Sequence, residues 1–99
     1  MSDAAAPAAT RLARIRSALQ VLAPLALEVR DDSHRHVGHE GARDGRGHFA
    51  VDIVSAAFEG LAPLARHRRV YAAVGAMMDT DIHALQVRAR TPDEVARSG

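Results

Sequence analysis

The chain has no cysteine and no tryptophan, and all thirteen of its basic residues are arginine. A missing thiol excludes disulfides and thiol catalysis within this chain. It also removes the soft ligands that iron–sulfur and structural zinc sites usually take. Any metal site must be built on histidine, or must borrow ligands from a partner. Aromatic residues make up 3% of the chain, so its core is mainly aliphatic and alanine. The arginines are offset by twelve carboxylates, leaving a net charge of +1. That balance does not suggest bulk electrostatic attachment to nucleic acid or to an anionic membrane. No apolar run approaches the ~20 residues a membrane helix needs. The first ten residues lack the basic and apolar regions of a secretory signal, so the expected compartment is the cytoplasm.

What is present fits one α+β domain. Ninety-nine residues suffice for a single modest core. Residues 1–10 read as a disordered, Ala/Pro-rich tail and residues 11–97 as a single domain. Thr10 is a candidate N-cap. Leu12, Ile15, Leu19 and Leu22 then recur at helical spacing, and Pro24 ends that helix. Leu25, Leu27 and Val29 alternate with polar residues, as a half-buried strand does. A polar, glycine-rich stretch over 31–47 follows, and a second strand begins at His48 with Phe49, Val51 and Ile53 on its buried parity. Two consecutive strands joined by one loop are most simply an antiparallel hairpin.

Residues 56–62 read as a short helical turn, and Pro63 suits the start of a longer helix. His67, Val70, Tyr71, Val74, Met77 and Met78 form one stripe on it, with His67 read as structural. Residues 79–81 read as a turn. A third strand over 82–90 puts His83 on the same parity as Leu85, Val87 and Ala89. Thr91-Pro92-Asp93-Glu94 is a capping box for a last short helix. The order αββααβ(α) implies a three-stranded sheet with helices packed on one face.

Six histidines carry the chemistry this chain has to offer. Neutral imidazole is a common metal ligand near physiological pH. His34, His36 and His39 fall within the polar loop, where the readings are a zinc or copper site or a solvated loop. The spacing alone favours the solvated loop, because ordering glycine-rich chain around an ion costs entropy. Taken alone, His83 is either a histidine satisfied by a backbone carbonyl or a ligand at a strand end. No Ser/His/Asp set, paired-carboxylate cleft or phosphate loop can be assembled, so no enzyme is expected.

Taken in order, these segments resemble the BolA family: Leu27-Glu28-Val29, Asp32-Ser33-His34-Arg35-His36-Val37-Gly38-His39, Gly47-His48-Phe49, Ile53-Val54-Ser55, Phe58-Glu59-Gly60-Leu61, Arg66-His67-Arg68-Arg69-Val70-Tyr71 and Ile82-His83-Ala84-Leu85. The resemblance runs from the first helix to about Glu94. It implies a three-stranded mixed sheet similar to the class II KH arrangement. It also implies a partner, a monothiol glutaredoxin, with which such proteins share a 2Fe–2S cluster in a heterodimer. The glutaredoxin side supplies its cysteine and a bound glutathione. This side would supply His83 and one loop histidine, His39, with His36 as the alternate; His34 and His48 are left as supporting residues or bystanders. No small-molecule substrate and no membrane are implied. The competing function is a transcription regulator that binds DNA or RNA through Arg66, Arg68 and Arg69, and the near-neutral charge ranks it second.

Overall fold

The computed structural model describes residues 8–32 and 47–98. Helix α1 spans Ala8–Leu19 and continues as a 3-10 turn over Gln20–Leu22. Helical backbone therefore begins before Thr10, which lies inside α1 and does not cap it. Ile15, Leu19 and Leu22 are buried on one side of this segment. Ala23 leaves it in left-handed geometry, φ 49°. The residue preceding a proline is disfavoured in the right-handed helical region, and Pro24 holds that place here.

Strand β1 (Ala26–Asp31) pairs antiparallel with β2 (Gly47–Val54). Leu25 precedes the strand and is exposed, contrary to the alternation read from sequence, although its N–H still donates to the Val54 carbonyl at 2.8 Å. Strand β3 (Ile82–Arg90) lies parallel to β2, giving the order β1-β2-β3 in a mixed sheet. The central strand explains why burial does not simply alternate. Phe49, Val51 and Ile53 face the core, yet Ala50 and Val54 are also buried because both flanks of β2 are covered.

A 3-10 turn over Ala56–Phe58 follows β2. Ser55 fixes it: its hydroxyl accepts from the Ala57 N–H at 3.0 Å and donates to the Leu22 carbonyl, tying the turn to the end of α1. Helix α2 runs Pro63–Val74, with Val70 and Val74 buried. It stops at Gly75, whose φ of 55° and ψ of −129° suit glycine best. Met77 and Met78 therefore belong to a separate short helix, α3 (Met77–Thr80), and not to the long stripe. The reading of His67 as part of the apolar stripe is also corrected: it is exposed on α2 and not part of the core face. Helix α4 (Pro92–Ser98) closes the order αββααβα. Its capping box is formed as the sequence suggests: Thr91 Oγ1 accepts from Glu94 N–H at 3.1 Å, and Glu94 Oε1 accepts from Thr91 N–H at 3.0 Å. The helices supply Ile15, Leu19, Val70, Val74 and Met77 to one core beneath the sheet.

Candidate functional site: the histidine end of the sheet

β2 and β3 are in regular parallel register from His48↔Ala84 to Val54↔Arg90, but Gly47 pairs with Ile82. One step along β2 therefore spans two along β3, and His83 is the extra residue. Counting back by twos from Leu85 puts His83 on the core parity, as the sequence reading had it. The bulge cancels that count: Ile82 is fully buried in its place, and His83 is exposed. Bulges bend strands and re-aim side chains, and they are over-represented beside functional sites. Here the result is a close pair of rings. His48, the first residue after Gly47 on β2, and His83 have ring centroids 5.1 Å apart with planes tilted by 53°. His48 is half-buried.

Three backbone and side-chain ties hold this end of the sheet. The Asp32 N–H donates to the His48 carbonyl at 2.8 Å, and the Gly47 N–H donates to the Asp81 carbonyl at 3.0 Å. Asp32 and Gly47 flank residues 33–46, so the segment bearing His34, His36 and His39 leaves and re-enters beside the ring pair. Those three histidines lie outside the described residues. The third tie is the Asp81 carboxylate, buried between Arg14 at 3.0 Å and Arg11 at 3.6 Å. It fastens α1 to the turn immediately before Ile82 and His83. In the sequence Asp81 reads as part of a plain turn; only the fold brings Arg11 and Arg14 to it. Among the described residues no group of three or more histidines and carboxylates is placed to hold a metal ion.

The three arginines singled out on α2 part company. Arg68 and Arg69 are exposed. Arg66 is turned inward: its guanidinium donates to the Leu61 carbonyl at 2.8 Å, to the Ala89 carbonyl at 3.1 Å and to both Glu94 oxygens at 2.7 and 2.9 Å. The hydrogen bond to Glu94 holds the Arg66 pKa above its ordinary value. In return, the Arg66 hydrogen bonds, followed by the Thr91 N–H, push the Glu94 carboxyl down to about 2 from an ordinary 4.5. A carboxyl with a depressed folded pKa stabilises above its unfolded pKa and loses that contribution as pH falls through the folded value. Glu94 should therefore support the fold fully above about pH 4.5 and progressively less down to about pH 2. Urea midpoints of wild type and Glu94→Gln across that window check this: the gap between them should close as pH falls, and a constant gap would count against it.

No helix among the described residues is long and apolar enough to cross a membrane. Comparison with known proteins adds the following. The family described as BolA-like protein matches residues 18–94. The chloroplastic protein BOLA1 of Arabidopsis thaliana is 42% identical over 88 residues, covering 85% of this chain and 55% of that protein. Human BolA-like protein 1 is 44% identical over 81 residues, covering 81% of this chain and 57% of that protein. The chain thus spans little more than half the length of these relatives. Among solved structures, the BolA domain of SufE1 from Arabidopsis thaliana superposes with a TM-score of 0.77 at 41% identity, covering 86% of this chain and 95% of that one. The solution structure of mouse BolA1 gives a TM-score of 0.73 at 36% identity, with coverage of 99% and 76%.

Proposed function

This chain belongs to the BolA-like protein family, and we propose that it acts without catalysis of its own, as the partner of a monothiol glutaredoxin with which it co-ligates a glutathione-dependent 2Fe–2S cluster. On this reading it serves iron–sulfur cluster assembly, trafficking or iron-responsive regulation. The supporting observation is His83. A bulge in β3 turns its imidazole out of the core and leaves it exposed, where a second protein can reach it. The donor set of the chain fits a shared site. With no cysteine, it can offer imidazole nitrogen but no thiolate, and the thiolates would come from the glutaredoxin and its glutathione. Nitrogen ligation on one iron raises a cluster's potential relative to all-thiolate ligation. The second imidazole would come from the loop, His39 or else His36. The proposed setting is the reducing cytoplasm, where glutathione and thiols persist.

The test is anaerobic reconstitution of this chain with a monothiol glutaredoxin, glutathione, iron and sulfide, followed by visible absorption and circular dichroism. The expected spectrum differs from that of the glutaredoxin homodimer. It should be lost with His83→Ala and with one of His39→Ala and His36→Ala. A mixture that matches glutaredoxin alone would overturn the reading.

The nucleic-acid alternative rests on the exposed Arg68 and Arg69. A KH backbone clamp is a Gly-x-x-Gly loop, whereas the connection between α2 and α3 is Gly75-Ala76, and the two residues that follow it, Met77 and Met78, open α3 and are not glycine. If this alternative held, DNA binding would fall steeply with salt and would be lost in Arg68→Ala/Arg69→Ala with His83 intact.

A further inference from the structure

The ring pair has a use of its own. We propose that His48 and His83 form a bis-imidazole site that binds a single divalent ion of borderline softness, of which zinc is the type, on this chain alone and with no partner present. The inference rests on the ring pair and not on the shared-cluster reading, so the two can fail separately.

The geometry carries it in two steps. A zinc–nitrogen bond of about 2.0–2.1 Å places the ion about 3.2 Å from the centroid of its imidazole, so two rings on one tetrahedral ion have centroids about 5.2 Å apart. The observed separation is 5.1 Å. Rings that merely touch also fall within about 4.5–7 Å, so distance by itself does not separate ligation from packing. The backbone does. His48 and His83 come from different strands, and they meet only because the register shifts between Gly47 and His48. Bulges in parallel pairing are rare, and this one moves a histidine away from the core side and toward a second histidine. The backbone under both residues is anchored, by Asp32 N–H to the His48 carbonyl and by Gly47 N–H to the Asp81 carbonyl, the residue two before His83. A ligand pair on anchored strands loses less entropy on binding than one on a loop. The last torsion of a histidine side chain is broad, so one nitrogen of each ring can turn toward a common ion without moving the strands. Two nitrogens leave the remaining tetrahedral positions to water. That describes an open site of modest affinity, which selects imidazole-binding ions over calcium or magnesium.

The experiment is calorimetric titration of the full chain with zinc chloride, repeated with magnesium chloride. Parallel samples carry His48→Phe, His83→Phe, His83→Asn and the triple change His34→Ala/His36→Ala/His39→Ala. Phenylalanine keeps a ring in place and removes the donor. Because His83 is exposed, His83→Asn removes the donor without touching the core, and far-ultraviolet circular dichroism confirms each fold. The expected result is one zinc per chain and no magnesium uptake. Each change at His48 or His83 should weaken zinc binding at least tenfold, and the triple loop variant should bind within about twofold of wild type. No zinc uptake by the wild-type chain would overturn the proposal. So would wild-type affinity in the His48 and His83 variants, or a loss in the triple variant as large as theirs.

Discussion

Phe58→Ala is expected to destabilise the domain by about 3–5 kcal/mol, the usual cost of emptying a buried phenylalanine site. Phe58 is fully buried and belongs to the same cluster as Ile15, Leu19, Phe49 and Val70. It sits in a 3-10 turn whose backbone is pinned on both sides: its N–H donates to the Ser55 carbonyl at 3.2 Å, and its carbonyl accepts from Leu61 N–H at 3.1 Å. The turn cannot simply slide inward to fill the void. The other ring of that cluster, Phe49, is itself buried and held on the central strand β2, so it is not free to swing in and replace it. A domain of this size has a total stability on the order of 5–15 kcal/mol, so the variant should stand close to unfolding at room temperature. Urea denaturation followed by circular dichroism measures the difference. Leu64→Ala is the control: Leu64 is 62% exposed and should shift stability by no more than about 0.5 kcal/mol. A loss below about 1 kcal/mol for Phe58→Ala would mean that the site collapses around the smaller side chain and that the turn is softer than its hydrogen bonds imply.

The element order could be read from hydrophobic period and punctuation because local chemistry decides both. Pro24, Pro63 and the Thr91–Glu94 box act through their own backbone and side chains, and the structure keeps all three signals. What could not be read depends on partners distant in sequence. The end of α2 is the exception, missed although its cause is local. The apolar stripe runs on through Met77, but Gly75 allows a backbone turn that starts a new helix, and a stripe pattern does not register it. His83 does depend on a distant partner. Its parity on an ideal strand is a local count, while its true direction is set by how β3 meets β2. Asp81 shows the same limit, since nothing near it in sequence announces Arg11 and Arg14 on the first helix. The loop was legible as polar and histidine-rich, and its histidines lie outside the described residues.

Arg66→Ala is expected to cost about 2–3 kcal/mol, while Arg68→Ala and Arg69→Ala stay within about 0.5 kcal/mol. The three residues look equivalent in the sequence, as members of one basic run. The fold separates them by direction. The Arg66 side chain is 13% exposed, against 37% for its partner Glu94, so it is the arginine whose loss leaves partly buried acceptors without their donor. One guanidinium answers the carbonyl at the start of the turn into α2, a carbonyl on β3 and the carboxylate that caps α4. Truncation therefore loosens three elements at once. Three partly buried acceptor groups lose their donor at once, and that loss puts the estimate above the range for exposed ion pairs. Arg66→Lys should recover only part of the loss, because an ammonium cannot reproduce the planar fork that meets both Glu94 oxygens. The double variant Arg66→Ala/Glu94→Gln should cost less than the sum of its parts, since the two side chains share one network. Urea midpoints for these five variants and for Glu94→Gln alone decide the matter. Equal, negligible losses at all three arginines would return Arg66 to the exposed basic surface, whereas a large loss confined to Arg66 leaves Arg68 and Arg69 as the arginines of that run that any partner could meet.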